Sequence, residues 1–413
     1  MAGNPGTGKT IFSAQFLYKG IVESGENGIY VSFAEGKEQF INNMLNLGFN
    51  FEELEKQRKF KFLDMITMKK EGVSITLETI LREIANLNAK RLVIDSFSAL
   101  SQALKDTIDT RIILHTILGK IVRKLGCTTL LVVEVPSGTN SVGLGIEEFV
   151  ADGIIMLYRR EHKGLLLREL YISKLRGTEI RYPRLVFTLK EGFKVFPPIT
   201  FKTAKKPVKY EIIPHKPRAF SSGVRDLDKM LGAAFRRGNY NLLEIDTDVP
   251  LPLSRFFHPL ICNFINQGYG VVLLPPQGIS ALQVRKELEP FVEKNRIDEI
   301  LRVTSYKERK EPYVVSLKGR SIEEDMKIFW RTTQELAEKT GKPVLTIVGF
   351  DTIEYTYGRY EALKILGEDI ARIRNTENVR VNIIRPSIDI ASQLRALADI
   401  HLRVDEIDGA LFL

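Results

Sequence analysis

The sequence is poor in residues that staple or metallate a fold. Only Cys127 and Cys262 occur in 413 residues. Both stand in apolar surroundings, so they read as buried thiols of a protein kept in a reducing, cytoplasmic setting. The five histidines are scattered, and none pairs with Cys or Asp at metal-ligand spacing. No apolar run approaches the roughly 20 residues of a membrane-spanning helix. The first residues show no basic segment followed by an apolar stretch, the pattern of a secretory signal. What remains is a composition of 44% hydrophobic and 9% aromatic residues, that of a soluble globular protein. The length suits two or three domains, each with its own core. A net charge of +9 permits contact with nucleic acid or an anionic surface but does not by itself select either.

Against this background one stretch is dense in chemistry. Gly3-Asn4-Pro5-Gly6-Thr7-Gly8-Lys9-Thr10 is a complete phosphate-binding loop. Its glycines let the backbone curl so that N–H groups point at a phosphate. Lys9 brings a point charge to the β- and γ-phosphates, and Thr10 offers a hydroxyl to Mg²⁺. The helix read over Ile11 to Lys19 presents its N-terminus to the anion. Such a loop normally follows a buried strand, and here that strand reads as missing, because only Met1 and Ala2 precede it.

Strand and helix patterns alternate along the chain. Ile29–Phe33, Arg91–Ile94, Thr128–Glu134 and Gly153–Tyr158 are short apolar runs, separated by helical spacings such as Ile75–Leu87 and Thr110–Leu125. This predicts an α/β fold with mainly parallel sheets covered by helices on both faces. Five prolines interleaved with lysines and arginines over Phe196–Phe220 read as a solvated connector. The plan then restarts, with strands over Tyr240–Ile245, Val271–Leu274, Val344–Val348 and Val379–Ile384. Small echoes, such as Gly28–Val31 with Gly270–Leu273 and Phe149–Asp152 with Ala396–Asp399, predict two related domains in tandem. The expected boundaries are 1–198, a linker 199–219, and 220–413.

Each copy reads as having lost something. At the loop position of the second copy stand Asp246–Ser254, with no glycine and no lysine, and its corresponding strand ends in Val348-Gly349 rather than an acid. That domain is expected to be inactive toward nucleotides. The first copy has no equivalent of Phe220–Asp228 or of the strand Tyr240–Ile245. A stretch on the order of 25 residues, judged from the second copy, is expected upstream of Met1.

Arg91-Leu92-Val93-Ile94-Asp95 is an apolar strand ending in an acid, the position that orders the water shell of Mg²⁺ in phosphate-loop enzymes. Glu35, at the tip of the strand Ile29–Phe33, is the candidate activator of water, beside the loop if the sheet is doubly wound. Glu134 ends another strand and is a candidate sensor of the γ-phosphate.

These residues, with Ile11–Gly20, Tyr30–Glu35, Ile94–Ser96, Glu147–Gly153 and Lys174–Thr178, resemble the KaiC family of RecA-like ATPases. The likeness spans nearly all of residues 1–200 and is weaker over 215–413, where Ser221-Ser222-Gly223 and Leu227-Asp228 resemble the family's domain opening. It implies two tandem RecA-like domains, ATP and Mg²⁺ as cofactors, and a ring, usually a hexamer, with ATP between neighbouring subunits. An archaeal member fits the composition. Lys174 and Arg176 match the family's Lys-x-Arg finger, which reaches the γ-phosphate held by the next subunit. The family typically carries two adjacent glutamates after the second strand. Here the first is Ala34, so slow hydrolysis or plain nucleotide sensing is expected. The terminal Gly409–Leu413 shows no finger sequence for the second domain.

Two other readings use the same fold. A DNA-handling motor of the RecA or RadA kind needs cationic loops that grip phosphates. The candidate central loop Pro136–Gly145 has no Lys or Arg, which ranks that reading lower. A non-hydrolysing scaffold, of the kind of gas-vesicle regulators, would pair a nucleotide switch with a protein-docking second domain, its partner unknown.

Overall fold

Two sheets in this chain are wound in the same strand order. The computed structural model describes residues 1–66, 73–102, 119–135, 151–199, 208–232, 235–249, 254–307 and 310–413. Most of the expected helix 110–125, the candidate central loop 136–145, residues 147–150 and the cations Lys202, Lys205 and Lys206 lie outside the described residues. The chain divides into two compact units, Met1–Ile199 with Asp408–Ala410, and Thr200–Ile407 with Leu411–Leu413.

The strands of the first unit are β1 (Ala2–Gly3), β2 (Gly28–Ser32), β3 (Phe60–Asp64), β4 (Arg91–Asp95), β5 (Thr128–Glu134), β6 (Gly153–His162), β7 (Leu165–Leu175), β8 (Arg184–Thr188) and β9 (Lys194–Phe196). They form one sheet in the order β3-β2-β4-β5-β1-β6-β7-β8-β9. Neighbours are parallel from β3 through β6, and β6 to β9 continue as an antiparallel meander. β2 is buried along its whole length, which is why it reads as a continuous apolar run rather than an alternating one. The strand read as missing from the sequence is present as a stub. Ala2 pairs with Val133 on one side and Met156 on the other, so β1 takes the central position with two residues.

The helix that follows, α1 (Lys9–Ser24), buries Ser13, Ala14, Leu17, Gly20 and Ile21, one stripe of a helical wheel. It ends at Gly25 in the left-handed region, φ 70°, a conformation glycine adopts without steric penalty. At Gly20 a Cβ would stand 2.1 Å from Arg91 Nε. The missing side chain lets α1 sit directly over Arg91, whose guanidinium pairs with Glu26 and donates to the Phe16 carbonyl.

The second unit repeats this plan with strands β10 (Ala219–Phe220) and β11 (Phe235–Arg236) as an antiparallel pair, then β12 (Tyr240–Ile245), β13 (Val271–Leu274), β14 (Leu301–Ser305), β15 (Val314–Ser316), β16 (Leu345–Gly349), β17 (Val379–Ile384), β18 (Ile400–Ile407) and β19 (Ala410–Phe412). Its order is β15-β14-β13-β16-β17-β12-β18-β19, so β12 stands between β17 and β18 as β1 stands between β5 and β6. Here the central strand is six residues long and wholly buried.

Where the first unit carries its phosphate loop, the described residues of the second hold charges paired with one another, while residues 250–253 of the expected loop position lie outside the described residues. Glu244, fully buried at the end of β12, accepts from Arg395 and contacts His401. Against the effect of burial, these partners hold its carboxyl below the ordinary value. Asp246 pairs with Arg403 at 3.0 Å, and Arg385 donates to the Asp246 carbonyl. Asp351, two residues beyond the end of β16, is turned inward and accepts from the Gln277 N–H. The connector is also less free than its composition implies. Lys209, Lys216 and Arg218 are exposed. Between them, however, the Tyr210 hydroxyl donates to Pro259, and the Ile213 backbone bonds both ways to Asn263 on the helix Ser254–Asn266.

Two glycines of the second unit have opposite surroundings. A Cβ on Gly349 would lie 2.4 Å from the backbone of Pro276, whereas one on Gly367, in the helix Arg359–Arg374, would meet nothing within 4 Å. Gly349→Ala is expected to destabilise this unit by about 1–3 kcal/mol through overpacking. Gly367→Ala is expected to stabilise it by about 0.5–1 kcal/mol, the helix-propensity difference. Thermal unfolding of the two variants should move in opposite directions.

Candidate functional site

The carboxyl ends of β1, β2, β4 and β5 lie at one edge of the first sheet, where open parallel sheets bind their ligands. The loop leaves β1 there. Gly6 and Gly8 have φ of 75° and 104°, which side-chain-bearing residues rarely adopt. At Gly3 a Cβ would lie 2.6 Å from the Leu157 carbonyl oxygen, so β1 can lie against β6 only with glycine. The Asn4 amide donates to the Val135 carbonyl at 3.0 Å, and Thr7 Oγ1 donates to the Asn4 carbonyl at 2.9 Å. Pro5 and Gly6 form the exposed crest of the loop.

Lys9 Nζ donates to the carbonyls of Gly3 and Asn4, both at 2.9 Å. Burial pushes its ammonium below the ordinary value, while the charges of Glu134 and Asp95 oppose that shift. Thr10 Oγ1 donates to Asp95 Oδ2 at 3.1 Å. The same carboxylate oxygen accepts from the Tyr30 hydroxyl at 2.5 Å. Tyr30 is buried among Phe40 and Phe62, with ring centroids at 4.4 Å and 5.6 Å. Burial first, then the Asp95 charge, raise its phenol well above the ordinary value, so it stays a donor.

Glu35 stands just beyond β2 at the same edge. Ser32 Oγ accepts from the Glu35 N–H at 3.0 Å and donates to its carbonyl at 2.7 Å, which pins the turn. The carboxylate accepts from Asn43 at 2.8 Å. Burial raises the Glu35 carboxyl above its usual range, the Asn43 hydrogen bond pulls it down, and the Asp95 charge adds to the rise. The strand order corrects one expectation. β2 is not beside the loop's strand, because β4 and β5 lie between, and Glu35 faces the site from the Asp95 side.

Lys174 and Arg176 are not brought to this loop. Leu170 pairs with Leu157, the residue level with Gly3. Lys174 lies four residues further along β7 in the direction away from the loop, about 13 Å at the rise of a strand. There it pairs with Ile154, and Arg176 Nη1 donates to Asp152 at 3.1 Å. Two other cations do reach the loop, and the sequence reading did not single them out. Arg168 Nη1 donates to the Gly6 carbonyl at 2.9 Å, and a Cβ on Gly6 would stand 3.0 Å from Arg159 Nη1. Arg159 and Arg168 face each other across β6 and β7. Burial and then the Arg159 charge lower the Arg168 guanidinium. The neighbouring Arg160 is neutralised by the buried Glu169. The signal available beforehand was the run of arginines on both arms of one hairpin, which becomes legible only with its register.

Among known proteins, a family model described as "ATPase: KaiC" matches residues 1–199. A UPF0273 protein of Pyrococcus horikoshii is 34% identical over 220 residues, 50% of this chain and 87% of that protein. The circadian clock oscillator protein KaiC of Thermostichus vulcanus is 31% identical over 244 residues, 57% of this chain. The chain spans only 45% of that KaiC's length. A solved KaiC-like protein from Pyrococcus horikoshii OT3 is 36% identical, with 48% of this chain and 87% of that one covered at a TM-score of 0.42.

The Tyr30 hydroxyl is a donor to a charged acceptor from a buried position. Tyr30→Phe is expected to destabilise the first unit by about 1.5–3 kcal/mol, the range for hydrogen bonds to charged groups. The shift of its urea unfolding midpoint measures this.

Proposed function

The chain belongs to the KaiC-like ATPase family, and on that premise we propose that it binds ATP with Mg²⁺ at Gly3–Thr10 and hydrolyses it slowly between copies assembled in a ring, so as to regulate a partner. The observation that carries this reading is the 3.1 Å hydrogen bond between Thr10 Oγ1 and Asp95 Oδ2, which brings the loop's hydroxyl and a strand's carboxylate to one point. Hard oxygen donors of this kind suit Mg²⁺. When bound, that ion neutralises charge on the phosphate oxygens.

In this reading the backbone N–H groups of Gly6 to Thr10 cradle the phosphates, and Lys9 exchanges its two loop carbonyls for phosphate oxygens. Glu35 takes a proton from the attacking water, and a carboxyl held above its usual range is the better base for that step. It acts without a second glutamate at Ala34, which favours slow turnover. Lys174 and Arg176 serve the loop of a neighbouring copy, a role supported by their distance from their own loop. The second unit, whose Asp246 is engaged by Arg403 and Arg385 at the loop position and which has no glycine or lysine there, binds no ATP at that place. A nucleotide switch with negligible hydrolysis is the second reading, favoured by Ala34 and by the Asn43 hydrogen bond that restrains Glu35.

ATP turnover by the whole chain against Lys9→Ala tests the first reading. The variant is expected to fall to the buffer rate, and equal rates would sink it. Asn43→Ala tests the base. The lost hydrogen bond was lowering the Glu35 carboxyl, so its pKa rises, and the acid limb of the pH–rate profile moves to higher pH. A limb that stays in place while turnover persists removes Glu35 from that role.

A further inference from the structure

We propose that the second unit carries a ligand site of its own, at the end of its sheet opposite Glu244 and Asp246. The site is suited to a small molecule that joins a planar ring to phosphate or carboxylate groups, a nucleotide in its simplest form. A cavity of about 670 Å³ lies between the helix Ile322–Thr340, the starting residues of β16 and β17, and the end of the helix Arg359–Arg374. That is the size of a pocket for a small molecule.

Lys327, Arg331, Lys342, Arg372 and Arg380 line it, with Glu377 as the acid among the described lining residues. Arg380 is neutralised by Asp369, and Lys342 donates to the Gln267 carbonyl, so the cations left to meet a ligand are Lys327, Arg331 and Arg372. Glu377 is already held by Arg237. Lys327 makes no ion pair among the described residues. Arg331 pairs with Glu335 at 3.6 Å and Arg372 with Glu368 at 2.8 Å, both on the surface, where such pairs are worth little and are readily exchanged. Three cations whose partners are weak or lacking, gathered on one concave wall, favour an anionic ligand.

The wall also holds a flat platform. The Arg372 guanidinium lies 4.1 Å over the ring of Trp330, and a planar ligand ring can stack on such a surface. Trp330 Nε1 donates to Asp369 at 3.0 Å. Asp369 is fully buried and pairs with the equally buried Arg380, whose Nε donates to Thr346 at 2.8 Å. An ion pair of this kind adds little stability over apolar residues of the same volume. What it does here is lock the indole, so the stacking wall is ordered before any ligand arrives, while the pair itself stays neutral. Among the described residues of the first unit the buried arginine has no counterpart, since the register Leu345↔Val379, set beside Arg91↔Thr128, puts Thr129 where Arg380 stands.

Trp330 is the chain's single tryptophan, so its fluorescence reports this cavity directly. The probe is ADP without Mg²⁺, added to the full chain carrying Lys9→Ala and to the unaltered chain. The expected result is a saturable change in Trp330 emission in both. The affinity is expected to be at least tenfold weaker when the exposed Lys327 and Arg331 are both changed to Glu. Adenosine and pyrophosphate are each expected to bind more weakly than ADP. The proposal is overturned by the absence of a saturable change in the Lys9→Ala chain, or by unaltered affinity in the Lys327→Glu/Arg331→Glu chain. Adenosine equal to ADP overturns the anionic half, and pyrophosphate equal to ADP overturns the ring half. A signal lost with Lys9→Ala belongs to the phosphate loop. It overturns this proposal while leaving the loop's own reading intact.

Discussion

One carboxylate oxygen ties the first unit's candidate site to its core. Asp95 Oδ2 accepts from Thr10 on α1 and from Tyr30 in β2, although β4 and β5 stand between β2 and the strand that feeds the loop. Tyr30 is held in turn by the rings of Phe40 and Phe62. The aromatic core therefore sets the phenol, the phenol sets the carboxylate, and the carboxylate sets the first turn of the helix that opens the loop. Each step loses rotational freedom before any ligand binds, which is the physical content of preorganisation.

Much of this was legible because it is local. A run of glycines before Lys-Thr, or an apolar strand ending in Asp95, carries its meaning within a few residues. β1 is not legible because two residues show no periodicity, and only the pairing of Ala2 with Val133 and Met156 reveals a strand. Arg168 could not be connected to Gly6 without the β6–β7 register, since 162 residues separate them. Asn43 reaches Glu35 from a neighbouring helix, a contact that side-chain type does not announce. In the connector, prolines and lysines dominate the composition, while the sparse Tyr210 and Ile213 decide where the backbone docks.

The two sheets show one topology put to different uses. The same edge that in the first unit ends in a glycine loop ends in the second with Glu244 and Asp246 bound by Arg395, His401 and Arg403. At the end of β16, Gly349 closes against the Pro276 backbone where the first sheet presents Asp95. Strand order is set by the apolar interior, which both halves keep. Chemistry is set by a few residues at strand ends, and these can change without disturbing the order.

β7 has a mechanical consequence for the first unit. Near its start Arg168 grips the crest of the loop, and six residues later the same strand carries Lys174. A hydrogen-bonded strand bends and twists but does not stretch, so β7 acts as a strut about 20 Å long between those two points. The ladder that backs this strut is interrupted once, by the register shift at Ile154/Ile155 just before Lys174. The strand thus joins the loop's crest to Lys174 within one continuous element, without any moving domain.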